Sequence, residues 1–323
     1  HEIEISANSS QEVNFTLTED AIALDEVVLT ANRSQTLRRE APALVNVLDS
    51  KLFDQTNAMC MAQGLNFQPG VRTENNCQNC GFSQVRINGL DGHYSQILID
   101  SRPIFTSLNG IYGLEQIPSN MIDRIEVVRG GGSALYGASA IGGTINVITK
   151  EPVRNSAEVS HTTTSIEGKG GMENNTTANV SVVSEDGKTG LYVYGQHHYR
   201  PGFDHDGDGY TELPNLRNQT LGLSAFYKFT PYSKLSLQYH NISEFRRGGN
   251  NLDLPPHEAN ITEQLDHDIN GGNLAYDLSS NDYKNRLKAY FSFSNTTRKS
   301  YYGGIGEGSF ADRIAAQKAY GRT

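Results

Sequence analysis

The second half of the chain consists of long segments in which apolar and polar residues alternate. The clearest of them, residues 217–229, has apolar side chains on alternate positions at Leu221, Leu223, Ala225, Tyr227 and Phe229. Successive side chains of a β-strand point to opposite faces, so this pattern predicts a strand with one apolar face. Similar segments predict seven strands, at about 156–166, 172–184, 188–200, 217–229, 233–247, 264–279 and 283–297.

The connections between these strands alternate between short and long. Tight turns are predicted at Glu185-Asp186-Gly187, Pro231-Tyr232 and Ser280-Asn281-Asp282, and long polar loops at 201–216 and 248–263. Long strands with short turns at one end and long loops at the other are typical of an antiparallel β-barrel in the outer membrane. Seven strands cannot close a wide barrel, and an odd number conflicts with bacterial single-chain barrels.

The first half of the chain has shorter elements. Residues 1–24 alternate enough to predict a hairpin, which is too short to fold alone. Asp49 or Ser50 caps a predicted helix from Lys51 to about Leu65, and Pro69-Gly70 breaks the chain after it. Further strands are predicted from Val71 and at 85–88 and 97–100.

Residues 117–150 organise this half, with the sequence IPSNMIDRIEVVRGGGSALYGASAIGGTINVITK. Ile125–Val128 and Thr144–Thr149 are predicted strands, and Gly130-Gly131-Gly132 ends the first, because residues without Cβ allow backbone conformations that side chains forbid. The string closely resembles the plug-domain signature of TonB-dependent outer-membrane receptors. Residues 85–89 and 97–100 match two further plug motifs, usually written IRG and VLIDG, so the resemblance covers residues 44–150.

The resemblance implies a mainly β protein, in which an N-terminal plug domain lies inside a transmembrane antiparallel β-barrel. It divides the chain into the end of a small carboxypeptidase-regulatory-like β-sandwich (1–24), a TonB box and linker (25–43), the plug (44–152) and the first strands of a truncated barrel (153–323). The family barrel has about 22 strands, so we expect this sequence to be an N-terminal portion. We expect a receptor of the Bacteroidetes type, similar to cobalamin and haem receptors.

Composition narrows the class of protein. The 323 residues carry a formal net charge of -9 and a mean hydropathy of -0.50, and no run of about 18 apolar residues predicts a transmembrane helix. The acidic balance and the lack of a Lys/Arg cluster argue against nucleic-acid binding. His1 is not an initiator and no signal peptide is visible, so we expect a mature or trimmed chain. No nucleophile elbow or other catalytic constellation is found, which argues against an enzyme.

A segment with an acidic start and a β-branched run lies between the sandwich remnant and the plug: Asp25, Glu26, Val27, Val28, Leu29, Thr30 and Ala31. Taken alone, it is an ordinary edge strand. Its position makes it resemble a TonB box, the segment that TonB pulls. An extended segment can pair edge to edge with a partner strand, and the polar residues 33–40 would form a flexible tether.

Residues 204–212, DHDGDGYTE, give the strongest signal for ion binding. Carboxylates at alternate positions followed by Gly209 match the first half of an EF-hand loop, but the twelfth position is Asn215 rather than glutamate. Cobalamin receptors of this family bind calcium between this loop and the next long one. The alternatives are a solvated acidic turn and a structural calcium site. The proposed calcium ligands are Asp204, Asp206, Asp208, the carbonyl of Tyr210, and Asp253, Glu258 or Asp266 from across the rim.

Cys77 and Cys80 are spaced C-x-x-C, and Cys60 stands alone between Met59 and Met61. Three alternatives exist for the pair: a redox centre, half of a zinc site or a small disulfide loop. No second C-x-x-C supports zinc. The outer membrane faces an oxidising compartment, which favours a structural disulfide between Cys77 and Cys80. Cys60 is predicted to be buried.

Plug loops supply candidate substrate ligands. His93 lies in a loop between two plug strands that is expected to point toward the extracellular side, where it is either a haem ligand or a plain loop residue. The residues that we expect to contact substrate on this side are His93, Tyr94, Arg102, Phe105 and Tyr112.

The leading hypothesis is therefore active import across the bacterial outer membrane. A nutrient too large for porins binds the plug and the extracellular loops, and TonB pulls on residues 25–31 to release it inward. Cobalamin is the favoured substrate, with haem or a siderophore as alternatives. The rival class is a receptor without transport, such as an adhesin. Expected partners are TonB, the substrate, the lipid bilayer and a surface lipoprotein, with no nucleic acid.

Overall fold

The computed structural model describes residues 27–31, 36–77, 81–102, 114–137, 139–168, 171–282, 284–305 and 314. The predicted hairpin of residues 1–24, together with Asp25 and Glu26, lies outside the described residues. The first half contains β1 (Val27–Val28), β2 (Thr36–Leu37), β3 (Val45–Asp49), α1 (Ser50–Thr56), α2 (Met61–Leu65), β4 (Val71–Cys77), β5 (Phe82–Ile87), β6 (Ser95–Ile99), β7 (Ile122–Arg129), α3 (Ser133–Tyr136) and β8 (Gly143–Thr149). The second half contains β9 (Ser156–Ile166), β10 (Gly171–Val183), β11 (Thr189–Arg200), β12 (Asn215–Thr230), β13 (Ser233–Gly249), β14 (Thr262–Ser279) and β15 (Arg286–Gly303).

Four of the short strands form one mixed sheet in the order β3-β7-β8-β6. β7 is antiparallel to β3 and β8, and β6 is parallel to β8. One face of this sheet packs in a core with α1 and α2 that contains Leu65, Ile125 and Ile145, none of which has exposed surface. On the other face, Val28 and Val45 belong to a second apolar cluster. Both faces are covered, which explains why the central strands are β-branched nearly throughout.

The long strands form one antiparallel sheet in sequence order, from β9 to β15. The seven predicted strands are confirmed, and the last one runs further than expected, to Gly303. The connections 184–188, 231–232 and 280–285 lie at one end of the sheet, which we call the turn end. The long connections 201–214 and 250–261 lie at the other end, which we call the loop end. This sheet is the barrel part of the predicted fold.

The two faces of the barrel sheet differ in polarity. On β12, side chains alternate between buried and exposed, and the exposed ones include Leu221 at 61% and Phe229 at 54%. Near the turn end, the rings of Tyr227 and Tyr276 both lie edge-on to that of Phe229. An outward apolar face with aromatic residues toward one border is what lipid contact requires of a barrel strand.

The inward face of the barrel sheet packs against the plug. The hydroxyl of Tyr192 donates to the carbonyl oxygen of Asn120 at 2.7 Å, and Nδ2 of Asn120 donates to the carbonyl oxygen of Gly195 at 3.0 Å. The rings of Tyr192 and Tyr194 on β11 lie in the same apolar core as the plug residues Ile125 and Ile145. The plug is therefore fixed to the wall by hydrogen bonds and by close aromatic packing.

The predicted helix from Lys51 to Leu65 is two helices rather than one. Asp49 caps α1 as predicted, because its carboxylate accepts a hydrogen bond from the amide of Leu52 at 3.1 Å. Asn57 then ends α1 in the left-handed conformation with φ of 53°, which asparagine tolerates better than most residues. Among the residues described, no helix is long and apolar enough to cross a membrane.

Candidate functional site

The segment 27–31, which is most of the predicted TonB box, lies against the plug sheet. Val28 and Thr30 have almost no exposed surface, and Ala31 is buried. β1 pairs with β2 in a two-stranded antiparallel ribbon. The segment therefore packs as part of the plug in this conformation.

The fully buried carboxylate of Glu126 on β7 holds this segment. Its Oε2 accepts hydrogen bonds from the amides of Leu29 and Thr30, both at 2.8 Å, and from the Thr30 hydroxyl at 2.6 Å. Its Oε1 lies 2.9 Å from Nη2 of Arg124, which also donates to the carbonyl oxygen of Val27 at 3.3 Å. A carboxylate removed from water needs such donors, because a buried charge without them is costly. Glu126 and segment 27–31 thus satisfy each other.

Thr30 is also bound on its other side. The hydroxyl of Tyr136 donates to the carbonyl oxygen of Thr30 at 2.9 Å, and Nδ2 of Asn146 donates to its hydroxyl oxygen at 3.0 Å. Asn146 is joined in turn to Ser101 by two further hydrogen bonds. Every polar group of Thr30 therefore has a partner.

The flexible tether expected at residues 33–40 is ordered where the structure describes it. Residues 36–37 form β2 and residues 38–40 form a 3-10 turn. Nε of Arg38 donates to the carbonyl oxygen of Val45 at 2.9 Å, which fixes this turn to β3. At least one polar residue of the tether, Arg38, is thus bonded to the plug in this conformation.

A buried ion-pair network joins the plug to the barrel wall near the loop end. Arg246 on β13 is 1% exposed and donates hydrogen bonds to oxygens of three residues. It donates to the carbonyl oxygen of Gly81 at 2.7 Å, to Glu115 at 2.5 Å and to Glu244 at 2.8 Å. Nε2 of Gln116 also donates to Glu244 at 3.1 Å. The guanidinium therefore links two parts of the plug, at Gly81 and Glu115, to Glu244 of its own strand.

Glu115 is held ionised by this network. Burial of the carboxyl opposes ionisation, but the charges of Arg246 and Arg200 and a hydrogen bond from the Ser83 hydroxyl outweigh burial. The pKa of Glu115 therefore lies below its ordinary value.

Asp204, Asp206 and Asp208 come together in the connection between β11 and β12. One carboxylate oxygen from each lies within 4.8 Å of the other two. Two oxygens bound to one calcium ion at about 2.4 Å are at most about 4.8 Å apart. The three side chains thus offer hard oxygen donors at a spacing that fits calcium. The amide of Tyr210 donates to Asp208 at 2.8 Å, so Tyr210 continues the turn beside them.

The backbone of this loop turns tightly around Asp204. The two carboxylate oxygens of Asp204 accept hydrogen bonds from the amides of Gly207 at 2.7 Å and Gly209 at 2.8 Å. Both glycines have positive φ, 81° and 90°, which allows the chain to fold around a single side chain. Phe203 pairs with Leu213 at the base of the loop.

The predicted ligands from the next loop do not join this carboxylate group in the described part of the chain. Asp266 lies on β14 and is exposed, whereas its buried neighbour His267 faces the plug; alternation therefore turns Asp266 outward. Glu258 lies 3.6 Å from His257 instead. The charge of Asp253 acts on Arg247. The additional calcium ligands that were expected from Asp253, Glu258 or Asp266 thus lie outside the carboxylate group in this conformation.

His93 and Tyr94 lie away from the loop end, contrary to the expectation for both. The β4–β5 hairpin reaches the loop end at Gly81, beside Arg246 and Pro214. β5 then runs away from that end for six residues, which is about 20 Å. His93 follows at its far end, where Nδ1 bonds Asp91 at 2.6 Å and lowers the pKa of that carboxyl.

Arg102 is also far from the expected apical position. Its guanidinium lies 4.9 Å from the ring centroid of Tyr290, the fifth residue of β15 from the turn end. The side chain is buried, and burial lowers its pKa, although the charge of Asp100 opposes that effect. Arg102 therefore connects the plug to the barrel wall near the turn end. The two remaining substrate candidates, Phe105 and Tyr112, lie outside the described residues.

Cys60 is a free, buried thiol, as expected, and burial raises its pKa to about 12. The predicted disulfide is not tested, because Cys80 lies outside the described residues. Cys77 ends β4.

Sequence reasoning missed Glu126, Asn146 and Arg246 as functional residues. Glu126 and Asn146 each interrupt a short run of β-branched residues, at 125–128 and 145–148, and both are fully buried. A polar residue in the centre of a β-branched run is the signal that would have found them, since such residues need dedicated partners. Arg246 carries no such signal, because Arg247 beside it has the same charge.

A plug sheet packed against the inward face of long antiparallel strands, with an extended segment docked on the plug, defines a plugged-barrel receptor. The family described as TonB-dependent Receptor Plug Domain matches residues 38–144. The chain therefore contains the plug domain of TonB-dependent receptors, and its relatives and structural neighbours are receptors of this kind.

Among its relatives, the vitamin B12 transporter BtuB of Vibrio vulnificus is 34% identical over 125 residues, which is 39% of this chain and 20% of that protein. The vitamin B12 transporter BtuB of Vibrio cholerae is 30% identical over 138 residues, or 43% of this chain and 23% of that protein. The chain thus spans about a fifth of the length of these curated relatives.

Solved structures share the fold. The siderophore receptor PiuA from Acinetobacter baumannii has a TM-score of 0.62 at 15% identity, covering 86% of this chain and 40% of that one. The siderophore receptor PirA from Pseudomonas aeruginosa has a TM-score of 0.58 at 18% identity, covering 81% and 42%. These likenesses support the plug and barrel architecture.

Proposed function

We propose that this protein imports cobalamin across the outer membrane, and that TonB binds segment 27–31 to drive the import. The observation that carries the proposal is the docking of this extended segment on the plug, through Glu126 and Thr30. Leu29 and Thr30 are held by side chains, so this part of the extended segment can pair with a partner strand once it is released. The protein itself performs no covalent chemistry in this scheme.

The substrate is proposed from the relatives and from the acidic loop. The relatives that share the plug sequence are named as vitamin B12 transporters, whereas the siderophore receptors share only the fold. Haem and siderophores are the competing substrates, and a receptor without transport is the competing class. A surface lipoprotein is proposed as a further partner.

Calcium is proposed as a structural ion at the acidic loop. Asp204, Asp206 and Asp208 would hold it, because their oxygens converge and the loop is built around Asp204. Bound there, calcium would offset two of the three negative charges on the neighbouring carboxylates and stabilise the loop. The carbonyl of Tyr210 is a further candidate ligand.

The TonB proposal is tested by separating binding from uptake. Leu29→Pro removes the backbone N–H that donates a hydrogen bond to Glu126. Proline also cannot donate to a neighbouring strand, so it blocks edge pairing at that position. We expect outer membranes with this variant to bind cobalamin within about twofold of wild type, while cells lose uptake of radiolabelled cobalamin. Val153→Pro is the matched control, because Val153 is 86% exposed in the connection between the plug and the barrel.

Wild-type uptake in Leu29→Pro cells would show that the segment is not the TonB contact. The substrate is tested in parallel by competition. Unlabelled cobalamin, haem and a ferric siderophore are each offered as competitors for the ligand that is bound to the receptor. Displacement by haem or the siderophore, but not by cobalamin, would replace the proposed substrate with the competitor that binds.

A further inference from the structure

Two consecutive residues in the plug adopt left-handed backbone conformations. Asp100 has φ of 48° and Ser101 has φ of 65°. Ile99 and Arg102 exchange two hydrogen bonds of 3.0 Å across them, so the four residues form a tight two-residue β-turn. Such a turn favours glycine at its second central position, and the plug motif usually written VLIDG has glycine there. This chain has Ser101 instead, in a conformation that L-residues adopt only with strain.

The serine side chain is used in a specific way. Ser101 donates its amide to Oδ1 of Asn146 at 2.8 Å, and its hydroxyl oxygen accepts from Nδ2 of Asn146 at 3.0 Å. The two bonds fix both ends of the Asn146 amide. With Oδ1 held by Ser101, Nδ2 of Asn146 faces the hydroxyl of Thr30.

These hydrogen bonds continue through Thr30 to Glu126. The Thr30 hydroxyl accepts from Asn146 and donates to Oε2 of Glu126 at 2.6 Å. Asn146 and Glu126 have no exposed surface, and Thr30 has 1%. A continuous buried chain of hydrogen bonds therefore runs from Ser101 through Asn146 and Thr30 to Glu126. In buried networks of this kind, loss of one member leaves its neighbours unsatisfied.

We propose that Ser101 and Asn146 are positioning residues that hold segment 27–31 docked on the plug, with the Ser101 hydroxyl orienting Asn146 toward Thr30. The turn keeps a strained serine because the serine, unlike glycine, completes this chain of hydrogen bonds. The inference rests on the proposed function of segment 27–31 as the TonB contact. The two residues would set how readily that contact is released.

The experiment measures release of the segment directly in the receptor expressed in its own outer membrane. Ala31, which is 6% exposed, is replaced with cysteine, and its labelling by a charged maleimide is followed. The receptor without the Ala31→Cys change gives the background from the native cysteines, of which Cys60 is buried with a pKa raised to about 12. We expect Ser101→Ala to raise the labelling rate roughly three- to tenfold, as for loss of one hydrogen bond.

Ser101→Gly separates positioning from folding. Glycine relieves the strain at φ of 65°, so thermal unfolding should be unchanged or shifted upward, while labelling at position 31 rises as in Ser101→Ala. The matched control is Ser280→Ala, which removes a turn hydroxyl on the barrel and should leave labelling unchanged. Unchanged labelling in both Ser101 variants would overturn the inference.

A second experiment, which uses TonB, distinguishes the positioning role of Ser101 from the assignment of segment 27–31 as the TonB contact. The isolated C-terminal domain of TonB, carrying a single cysteine, is offered to the same Ala31→Cys receptors for disulfide crosslinking. Faster crosslinking in Ser101→Ala supports both proposals. Faster maleimide labelling without any crosslink supports the positioning role and contradicts the TonB assignment. Crosslinking in the parent receptor at a rate that Ser101→Ala leaves unchanged supports the assignment and contradicts the positioning role.

Discussion

Arg246 on the barrel wall donates a hydrogen bond of 2.7 Å to the carbonyl oxygen of Gly81 in the plug, 165 residues away in the sequence. The same guanidinium pairs with Glu115 of the plug and with Glu244 of its own strand. Removing one partner of a buried ion pair costs about 3–5 kcal/mol, because the remaining charges are left uncompensated. Arg246 is therefore the residue on which plug attachment near the loop end depends most.

Arg246→Met should loosen the plug. Glu115 and Glu244 would remain buried without their cation, so the plug should separate from the wall more often. Cys60, which is 3% exposed, reports such openings through its labelling by a thiol reagent. A loss of about 3 kcal/mol corresponds to a roughly hundredfold faster labelling rate.

The matched control is Arg217→Met on the neighbouring strand. Arg217 is exposed and lies 5.8 Å from the ring centroid of Phe245, outside the network. Cys60 in this variant should be labelled at the wild-type rate. Equal labelling of the two variants would mean that Arg246 does not hold the plug.

Acid should release the same attachment. The pKa of Glu115 is lowered in the folded protein: burial opposes ionisation, but Arg246 and Arg200 prevail. A depressed carboxyl pKa contributes stability that is present above the unfolded value of about 4.3 and is lost as the pH falls through the lower folded pKa. Hydrogen exchange of plug peptides, corrected for intrinsic rates, should stay protected from pH 7 to about 4.5 and lose protection below. Glu115→Gln should remove this acid step, and an unaltered step would assign it to another group.

The barrel strands could be predicted because their pattern is local and repeated. Alternation along β12 shows which side chains face outward, and the turns Pro231-Tyr232 and Ser280-Asn281-Asp282 mark the strand ends. The plug was found from its signature. These features depend on neighbours in the sequence, which a single sequence displays.

The site depends on contacts between distant residues, which a single sequence does not display. Thr30 and Glu126 are 96 residues apart, and neither spacing nor composition brings them together. The orientation of the plug within the barrel decided that His93 and Arg102 are not apical, and that orientation follows from the Arg246 and Tyr290 contacts. Asp266 lies outside the carboxylate group because strand register, rather than proximity in sequence, sets the face on which it lies.

The Cys77 and Cys80 pair remains predicted to form a disulfide. The bond would close a small loop at the tip of the β4–β5 hairpin. Mass spectrometry of unreduced peptides should show a deficit of about two mass units relative to the dithiol, since forming the bond removes two hydrogens. Free thiols at both positions, or a bond from either to Cys60, would contradict this.

Calcium should control substrate affinity through the loop that contains Asp204, Asp206 and Asp208. Their carboxylates converge within 4.8 Å and repel one another when no cation is present. A ligand that binds only the folded loop stabilises it by RT ln(1 + [L]/Kd), which is about 2.7 kcal/mol at a hundredfold excess over Kd. Cobalamin affinity measured by calorimetry should fall in chelator and recover with calcium. Magnesium should not restore it, because its strict octahedral geometry suits a flexible carboxylate loop poorly.

Two double variants decide whether the acidic loop is responsible for this calcium effect. Asp206→Asn with Asp208→Asn should bind cobalamin with the affinity that wild type shows in chelator, and should no longer respond to calcium. Asp266→Asn with Asp268→Asn removes the same charge from exposed positions on β14, outside the carboxylate group, and should respond like wild type. If this second variant lost the response, Asp266 would reach the ion in the bound state, as the sequence analysis expected. If neither variant differed from wild type and chelator had no effect, the loop would be a solvated acidic turn, and cobalamin would lose its main structural support.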